Sequence, residues 1–187
     1  LLEPLANLED VVWQGINGPI YALIALDTGD YEIPELPDDS TATQTTREGL
    51  IQYILDKEIP GSGGWALWGS KADPDITTMA VQALAPYYNT NADVKAAVNR
   101  GMKAISDQQL SNGGMGSWGT VNSESCAQTV CALSDLGRDA DTDPQYVKNM
   151  NSILDAMLSF YIDGGGFAHA AQNGKLSVNM MATEQAT

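Results

Sequence analysis

Two carboxylates that stand two residues apart, Asp73 and Asp75, are the first candidates for chemistry in this chain. Paired acidic side chains can act as general acids or bases when their surroundings set their pKa values apart. The same stretch predicts the start of a helix, because Asp73 suits the N-cap position and Pro74 suits the first helical position. Since the helix dipole favours the charged form of Asp75, the sequence favours capping over proton donation.

A second group of residues could bind a metal ion. Glu124 and Cys126 are of types that ligate zinc, and both lie at a predicted helix start. The only histidine, His169, falls just after a predicted turn and before the next predicted helix. A zinc site would need a further ligand or a different geometry, so we favour a small buried thiol for Cys126 and expect no zinc.

Aromatic and amide side chains recur in the predicted turns and helix starts. Aromatic faces beside amide donors and acceptors suit a neutral, partly apolar ligand such as a corrin, a terpenoid or a sugar. The candidate ligand-binding residues are Trp65, Trp68, Trp118, Asn122, Gln128, Phe167, Asn179 and Gln185. Alternatively, the aromatic residues pack the turns between repeats and the amides cap helices, and the sequence favours neither interpretation.

A glycine pair followed by a bulky residue recurs along the chain at almost constant spacing, and the candidate residues lie in or near these copies. It occurs at residues 63–65, 113–115 and, with a third glycine, 164–167. A polar loop and a helical segment follow each copy, so the repeating unit has about fifty residues of helix, turn and helix.

Apolar periodicity predicts a helix in most of the remaining chain, and residues 31–45 form a loop rich in Pro, Asp and Thr. The predicted helices cover 5–14, 17–28, 47–57, a segment that begins after Asp73, 93–109, 123–136 and 144–161. No segment has a convincing strand pattern. The chain ends at Thr187 within what the repeat predicts as another helix. We therefore expect one domain, residues 1–187, that is a fragment of a longer protein.

Composition excludes several classes of partner. The 187 residues are 43% hydrophobic and 18% charged, which is typical of a globular protein. Nine Lys and Arg against 24 Asp and Glu give a formal charge of −15, which would repel nucleic acid and anionic lipid surfaces. No apolar run approaches the roughly 20 residues that a membrane span needs. We expect a neutral or cationic partner.

The segment from Arg100 to Gly113 resembles the glutamine–tryptophan repeat of terpene cyclases. In that repeat a basic and a small residue begin a helix, and a closing Gln, here Gln109, precedes a Gly and an aromatic residue. Here Met115 stands at the aromatic position. The other copies keep the aromatic residue but lack the Gln. The match is degenerate, but it is repeated from about residue 47 onward, and the chain is most similar to bacterial prenyltransferase and squalene-oxidase repeat proteins.

This resemblance implies an all-α protein with an α/α toroid fold, built from α-hairpin repeats and here a partial barrel. Terpene cyclases protonate their substrate from an Asp-x-Asp-Asp motif, which residues 73–76 resemble except that Ile76 replaces the last Asp. Prenyltransferases hold zinc with an Asp-x-Cys pair and a distant His, and Glu124 with Cys126 resembles that pair. The chain is also distantly similar to transcobalamin-type carriers. The resemblance therefore implies two possible ligands, an isoprenoid and a cobalamin-like molecule.

The leading hypothesis from the sequence is a non-catalytic ligand-binding or cell-surface module. Its partner would be a neutral, partly apolar small molecule or another protein, and its location extracellular or on a bacterial cell surface. The alternative is an enzyme of the terpene cyclase or prenyltransferase class that acts on isoprenoids. Asp73 with Asp75, or Glu124 with Cys126, would then carry the chemistry. A purely structural spacer is a third possibility.

Overall fold

The computed structural model describes residues 2–117 and 119–187. Helices account for about 47% of the chain. The α-helices are α1 (Leu8–Val11), α2 (Asn17–Thr28), α3 (Arg47–Asp56), α4 (Pro74–Leu84), α5 (Ala92–Ser106), α6 (Ser123–Asp135), α7 (Ile153–Leu158) and α8 (Met180–Ala186). Short 3-10 turns add Glu3–Leu5, Val12–Gln14 and Ala85–Tyr87.

Two small antiparallel sheets accompany the helices. Strand β1 (Gly116–Ser117) pairs with β2 (Thr120–Val121), and β3 (Tyr161–Ile162) pairs with β4 (Gly166–Phe167). In β1 and β2, Gly116 lies opposite Val121. The β1–β2 hairpin follows the second glycine copy directly, and the β3–β4 hairpin contains the third copy.

The prediction of an all-α protein with an α/α toroid fold is wrong, because the described residues combine helices with these two sheets. The prediction that the chain has no strand is wrong for the same reason. Two-residue strands carry too few side chains for a period-two pattern to show. Glycines at positive φ, such as Gly119 at +81° and Gly164 at +68°, let the chain reverse tightly enough for the hairpins to form.

Most predicted helices are present. Helix α4 begins where predicted, since Asp73 is its N-cap and accepts hydrogen bonds from the amides of Asp75 and Ile76, both at 3.0 Å. The prediction of a helix over 144–161 is wrong, because only α7 forms there. Residues Asn149 and Met150 have φ of +49° and +66°, which interrupts a helix, and α7 starts afterwards at a capping box.

The even-numbered helices stack in sequence around one buried apolar cluster. Helix α4 contacts α2 on one side and α6 on the other, and α6 in turn contacts α7 and α8. The cluster extends from Val11 to Ala182, and Trp65 and Tyr146 are its largest fully buried side chains. Strand β1 touches both α4 and α6, so the first hairpin lies across the starts of two neighbouring helices.

The three glycine copies share one hydrogen-bond pattern. In each copy, a hydroxyl or thiol on the following helix bonds both to the backbone N–H and to the carbonyl of the bulky residue. The pairs are Trp65 with Thr77, Met115 with Cys126, and Phe167 with Thr183. The sequence repeat is therefore a structural repeat, which fixes each turn against the first turns of a helix.

Glycine is required where the turn meets the helix. A Cβ atom on Gly64, whose φ is +74°, would lie 2.7 Å from the Ala72 Cβ and 3.0 Å from the Thr77 Oγ1. A Cβ on Gly101 of α5 would lie 2.9 Å from the Trp65 ring. Larger residues would push the turn away from α4 and α5, and the bonds to Thr77 would be lost.

No helix in the described residues is long and apolar enough to cross a membrane. Both cysteines are free thiols: Cys126 is buried within α6, whereas Cys131 is exposed on the same helix.

Candidate functional site

A cleft of about 920 Å³ opens at the N-terminal end of α4. The loop before α4, the residues after α5 and the β1–β2 hairpin form its sides. Its apolar lining includes Leu67, Trp68, Ile76, Met79, Leu110 and Val121. Its charged lining consists of Asp73, Asp75, Asp107 and Lys71. Cavities of this size, largely apolar with a few convergent polar groups, are typical of small-molecule sites.

The Asp73 side chain links two sides of the cleft. Its Oδ1 caps α4, as described above, and its Oδ2 accepts a hydrogen bond of 2.5 Å from the hydroxyl of Ser117 on β1. Both carboxylate oxygens of Asp73 are therefore occupied. The side chain ties the start of α4 to the first hairpin, which fixes two sides of the cleft relative to each other.

Asp75 is in a different state. Its Oδ1 is shut off from solvent, and neither it nor the nearby Ser125 hydroxyl makes a hydrogen bond of good geometry within the described residues, although the hydroxyl lies close enough to lower the pKa of Asp75. Burial is the main cause that raises the pKa of Asp75, and the negative charges of Asp73 and Glu124 raise it further, whereas the Ser125 hydroxyl and His169 oppose the shift. This direction is opposite to the one that the helix dipole alone would give, because burial penalises the charged form of Asp75.

Glu124 occupies in α6 the place that Asp75 occupies in α4, two residues after the N-cap. This carboxylate is buried, and both its oxygens lie 2.9 Å from the Nδ1 of His169. The Ser123 hydroxyl donates to it at 3.1 Å. His169 follows β4, and its carbonyl accepts from the Ser123 amide at 3.0 Å, so a residue 45 positions away supplies the partner of Glu124.

The geometry does not assemble Glu124 and Cys126 into a metal site. Within residues 2–117 and 119–187, no three His, Cys, Asp or Glu side chains are grouped so that they could hold a metal ion. The Cys126 sulfur instead accepts from the Met115 amide at 3.4 Å and its thiol lies 3.7 Å from the Met115 carbonyl. Burial raises the pKa of Cys126 to about 11, so it is a neutral thiol at neutral pH.

The predicted aromatic ligand residues fall into different places. Trp68 lines the cleft and is 66% exposed. Trp65 is fully buried, and its indole N–H donates to the Ile54 carbonyl at 2.7 Å. Phe167 is buried beneath Tyr161, with ring centroids 5.4 Å apart. Trp118 lies outside the described residues. Of the three described aromatic residues, only Trp68 is placed where a ligand could touch it.

The predicted amides lie mostly at helix starts. Asn122 caps α6 through the Ser125 amide, and Asn179 caps α8 through the Ala182 amide. Gln128 accepts from Gln82 of α4 at 2.8 Å, which links α4 to α6. Gln185 is exposed on α8. None of the four amides lines the cleft, and the helix-capping interpretation accounts for two of them.

Several cleft residues were missed in the sequence. Met79 and Ile76 belong to the apolar stripe of α4, and the sequence gives no sign that part of this stripe faces a cavity. Ser117 and Val121 come from the unpredicted hairpin. The one available signal was position: Trp68, Ser117 and Asp73 all lie in the polar loops after the first two glycine copies.

Comparison with known proteins gives no assignment. Neither a protein-family model nor a curated protein sequence matches the chain. The relationship to the terpene cyclase and prenyltransferase repeat family therefore stays a prediction based on the glycine copies and on residues 100–113.

Proposed function

We propose that this chain is a non-catalytic ligand-binding module, and that a small, partly apolar molecule occupies the cleft at the start of α4. The observation that carries the proposal is the cleft itself. Its volume of about 920 Å³ is within the range of roughly 300–1,000 Å³ that holds cofactor-sized ligands.

The lining of the cleft supports binding of an apolar body. Trp68 and Leu110 are large side chains that stay 66% and 48% exposed, and both line this cavity. Exposed apolar side chains gathered in a concavity mark a binding surface more often than scattered ones do. Covering them would remove apolar area from water, at about 25 cal/mol for each Å².

The fixed geometry of the cleft also supports binding. Asp73 joins α4 to β1 through a partly buried hydrogen bond, and two buried hydrogen bonds hold the Trp65 backbone against Thr77, so the sides of the cleft are connected. A site that is already formed loses less conformational entropy when a ligand binds.

Binding can be tested with N-phenyl-1-naphthylamine, a neutral apolar probe whose fluorescence rises in apolar surroundings. We expect saturable binding, and we expect Trp68→Ala and Leu110→Ser each to weaken it about tenfold through lost apolar contact. Displacement by farnesol or by cyanocobalamin would separate an isoprenoid-like from a corrin-like ligand.

Two matched variants serve as controls. Trp13 is 84% exposed and Leu158 is 51% exposed, and neither lines the cleft. Trp13→Ala and Leu158→Ser should leave the affinity for the probe unchanged. Equal weakening by the cleft variants and the control variants would show that the probe binds elsewhere or only to the general surface, and the proposal would fail.

The raised pKa of Asp75 favours a second candidate function, that of an enzyme. A carboxyl group with a raised pKa in a partly apolar cleft can keep a proton to donate, which is the acid chemistry expected from the alternative sequence hypothesis. Asp75→Asn should then abolish turnover of polyprenyl substrates, measured as loss of substrate by gas chromatography. Turnover that survives in Asp75→Asn, or no turnover by the unaltered chain, would remove this candidate.

A further inference from the structure

We infer that the ligand of this cleft carries an ammonium or similar cationic head on an apolar body, and that the head binds at Asp75. The inference rests on the proposed function, because it names the class of ligand for the same cleft. It follows from the charges in the lining, from the bonding state of Asp75 and from the position of the apolar residues around it.

The charges in the cleft do not balance. Three carboxylates, Asp73, Asp75 and Asp107, line it together with a single cation, Lys71. Lys71 is exposed and makes no ion pair with any residue that the structure describes. The chain as a whole carries −15, so its field attracts cations and repels anions at this opening.

The acids of the cleft differ in what they can still accept. Asp73 uses one oxygen for the cap of α4 and the other for Ser117. Asp107 is held by Lys103 across one turn of α5, at 2.7 Å and 2.9 Å. The buried Oδ1 of Asp75 has no hydrogen-bond partner inside the described part of the chain, and a carboxylate can accept several bonds. Asp75 lines the cleft and is only half-buried, so it is the acid with unused capacity that a ligand in the cleft can approach.

A cation would relieve Asp75 better than a neutral donor would. Burial and two negative neighbours, Asp73 and Glu124, raise the pKa of Asp75. A neutral donor such as the Ser125 hydroxyl could fill an acceptor site but would leave this negative potential in place. An ammonium group supplies several donors and a compensating charge, and charge-assisted bonds are about twice as strong as neutral ones.

The corresponding acid of the next repeat shows what this position accepts. Glu124 also lies two residues after its N-cap, where it is buried while Asp75 is half-buried, and an imidazole nitrogen lies 2.9 Å from its carboxylate. No residue of the described chain plays the part of His169 for Asp75. The ligand head would supply the nitrogen donor there.

The apolar residues indicate the rest of the ligand. Ile76 and Met79 follow Asp75 along α4, and Trp68, Leu110 and Val121 line the same cavity. A ligand whose head lies at Asp75 would place its body against these side chains. An aryl or alkyl amine matches this arrangement of charge and apolar surface.

Two probes of the same shape test the inference: 4-phenylbutylamine, which is protonated at neutral pH, and its neutral analogue 4-phenyl-1-butanol. Both are titrated into the protein by isothermal calorimetry at pH 7. We expect the amine to bind at least about tenfold more tightly than the alcohol. Raising NaCl from about 20 mM to about 200 mM should weaken the amine and leave the alcohol unchanged.

Asp75→Asn is the decisive variant, and Asp93→Asn is its control. Asp93 is also an aspartate at the second position of a helix, α5, but it is exposed and outside the cleft. Both substitutions change the net charge equally. Asp75→Asn should bring the amine to the affinity of the alcohol, whereas Asp93→Asn should keep the preference for the amine.

The outcomes separate this inference from the proposed function. If the alcohol binds and the amine shows no advantage, the cleft remains a binding site and the cationic class is wrong. If the preference persists in Asp75→Asn, the assignment to Asp75 is wrong. If neither probe binds, the cleft is not a site for such molecules, and the inference falls together with the proposed function.

Discussion

Helices α4 and α6 begin with the same backbone hydrogen-bond pattern, and they differ in whether the acidic side chain at the second helical position has a partner. Each start has an N-cap residue whose amide bonds to the carbonyl of the preceding bulky residue, and a hydroxyl or thiol four residues later that holds the same bulky residue. These positions are Asp73 and Thr77 in α4, and Asn122 and Cys126 in α6. The shared backbone pattern makes the two starts directly comparable.

The acids at the second helical position have opposite surroundings. Glu124 is buried and accepts hydrogen bonds from His169 and Ser123. Asp75 is half-buried and lines a cleft, and its Oδ1 has no partner among the described residues. The same position of the repeat thus holds a hydrogen-bonded carboxylate in one copy and a carboxylate oxygen without a partner in the other. The position of a carboxylate on a helix does not set its role, because the partner comes from a distant part of the chain.

The largest expected effect tests the hydrogen-bond pattern that the starts of α4 and α6 share. Thr77→Val removes two buried hydrogen bonds to the Trp65 backbone and leaves its N–H and carbonyl without this partner. We expect a loss of about 2 kcal/mol in the free energy of unfolding, measured by urea denaturation. Thr183→Val is the control in the last copy, where the threonine is less buried, and it should cost less. Equal costs would mean that burial does not distinguish the copies.

The second-largest expected effect concerns Glu124, the acid that has hydrogen-bond partners. Glu124→Gln replaces a buried carboxylate that accepts from His169 and Ser123, and an amide can accept from both only with one oxygen. We expect a destabilisation of about 1.5 kcal/mol, because hydrogen bonds to charged groups are the stronger ones. Urea denaturation at pH 7 measures it. An unchanged free energy of unfolding would show that the His169 contact contributes nothing, and the comparison with Asp75 would lose its basis.

The third effect should have the opposite sign. Asp75→Asn removes a half-buried carboxylate whose Oδ1 lacks a partner, so we expect a gain of up to about 1 kcal/mol in the free energy of unfolding at pH 7. Asp93→Asn, the exposed counterpart in α5, should cost a few tenths of a kcal/mol, because it loses a favourable interaction with the helix dipole. A destabilised Asp75→Asn would indicate that Asp75 has a protein partner after all.

The gain from Asp75→Asn should depend on pH in a defined direction. The pKa of Asp75 is raised in the folded state above the ordinary value of 3.8, so the folded state binds the proton more tightly than the unfolded state. The contribution of Asp75 to stability is therefore complete below pH 3.8 and is lost as pH rises through the folded pKa. The difference in stability between the Asp75→Asn variant and the unaltered protein should vanish in acid and reach its plateau at neutral pH. A difference that grows towards low pH would contradict the raised pKa.

The smallest perturbation compares two thiols on α6 without any substitution. Cys126 takes the place that Thr77 has in α4 and is buried with a pKa of about 11, whereas Cys131 is exposed. We expect iodoacetamide at about pH 8 to label Cys131 and to leave Cys126 unlabelled, as read by mass spectrometry of peptides. Labelling of Cys126 in the folded protein would show that the start of α6 opens to solvent. The description of this helix start as buried would then be wrong.

Local signals predicted the helix starts well. Asp73 with Pro74 marks the beginning of α4, and a polar N-cap at Asn122 precedes α6. Such caps act within three residues, so a sequence contains all the information they need. The predicted helix over 144–161 failed because turn residues near Asn149 compete locally with a stripe that looks helical.

The contents of the cleft were much harder to predict. Trp65 and Trp68 are three residues apart, yet one is fully buried and the other is largely exposed in the cavity. Asp75 and Glu124 carry the same charge at the same helical position, and only the fold brings His169 to one of them. No local rule distinguishes these cases, because each depends on a contact across tens of residues.

The amino-acid sequence by itself determined the repeat of glycine turns, the capped helix starts and the acidic charge, since these depend on neighbours within a few residues or on composition alone. The tertiary structure decided that two hairpins form, that Trp68 rather than Trp65 lines the cleft, and that Asp75 is left with an unfilled acceptor. The physical reason is desolvation: whether a side chain loses its water, and what replaces that water, is set by segments that are distant in the chain.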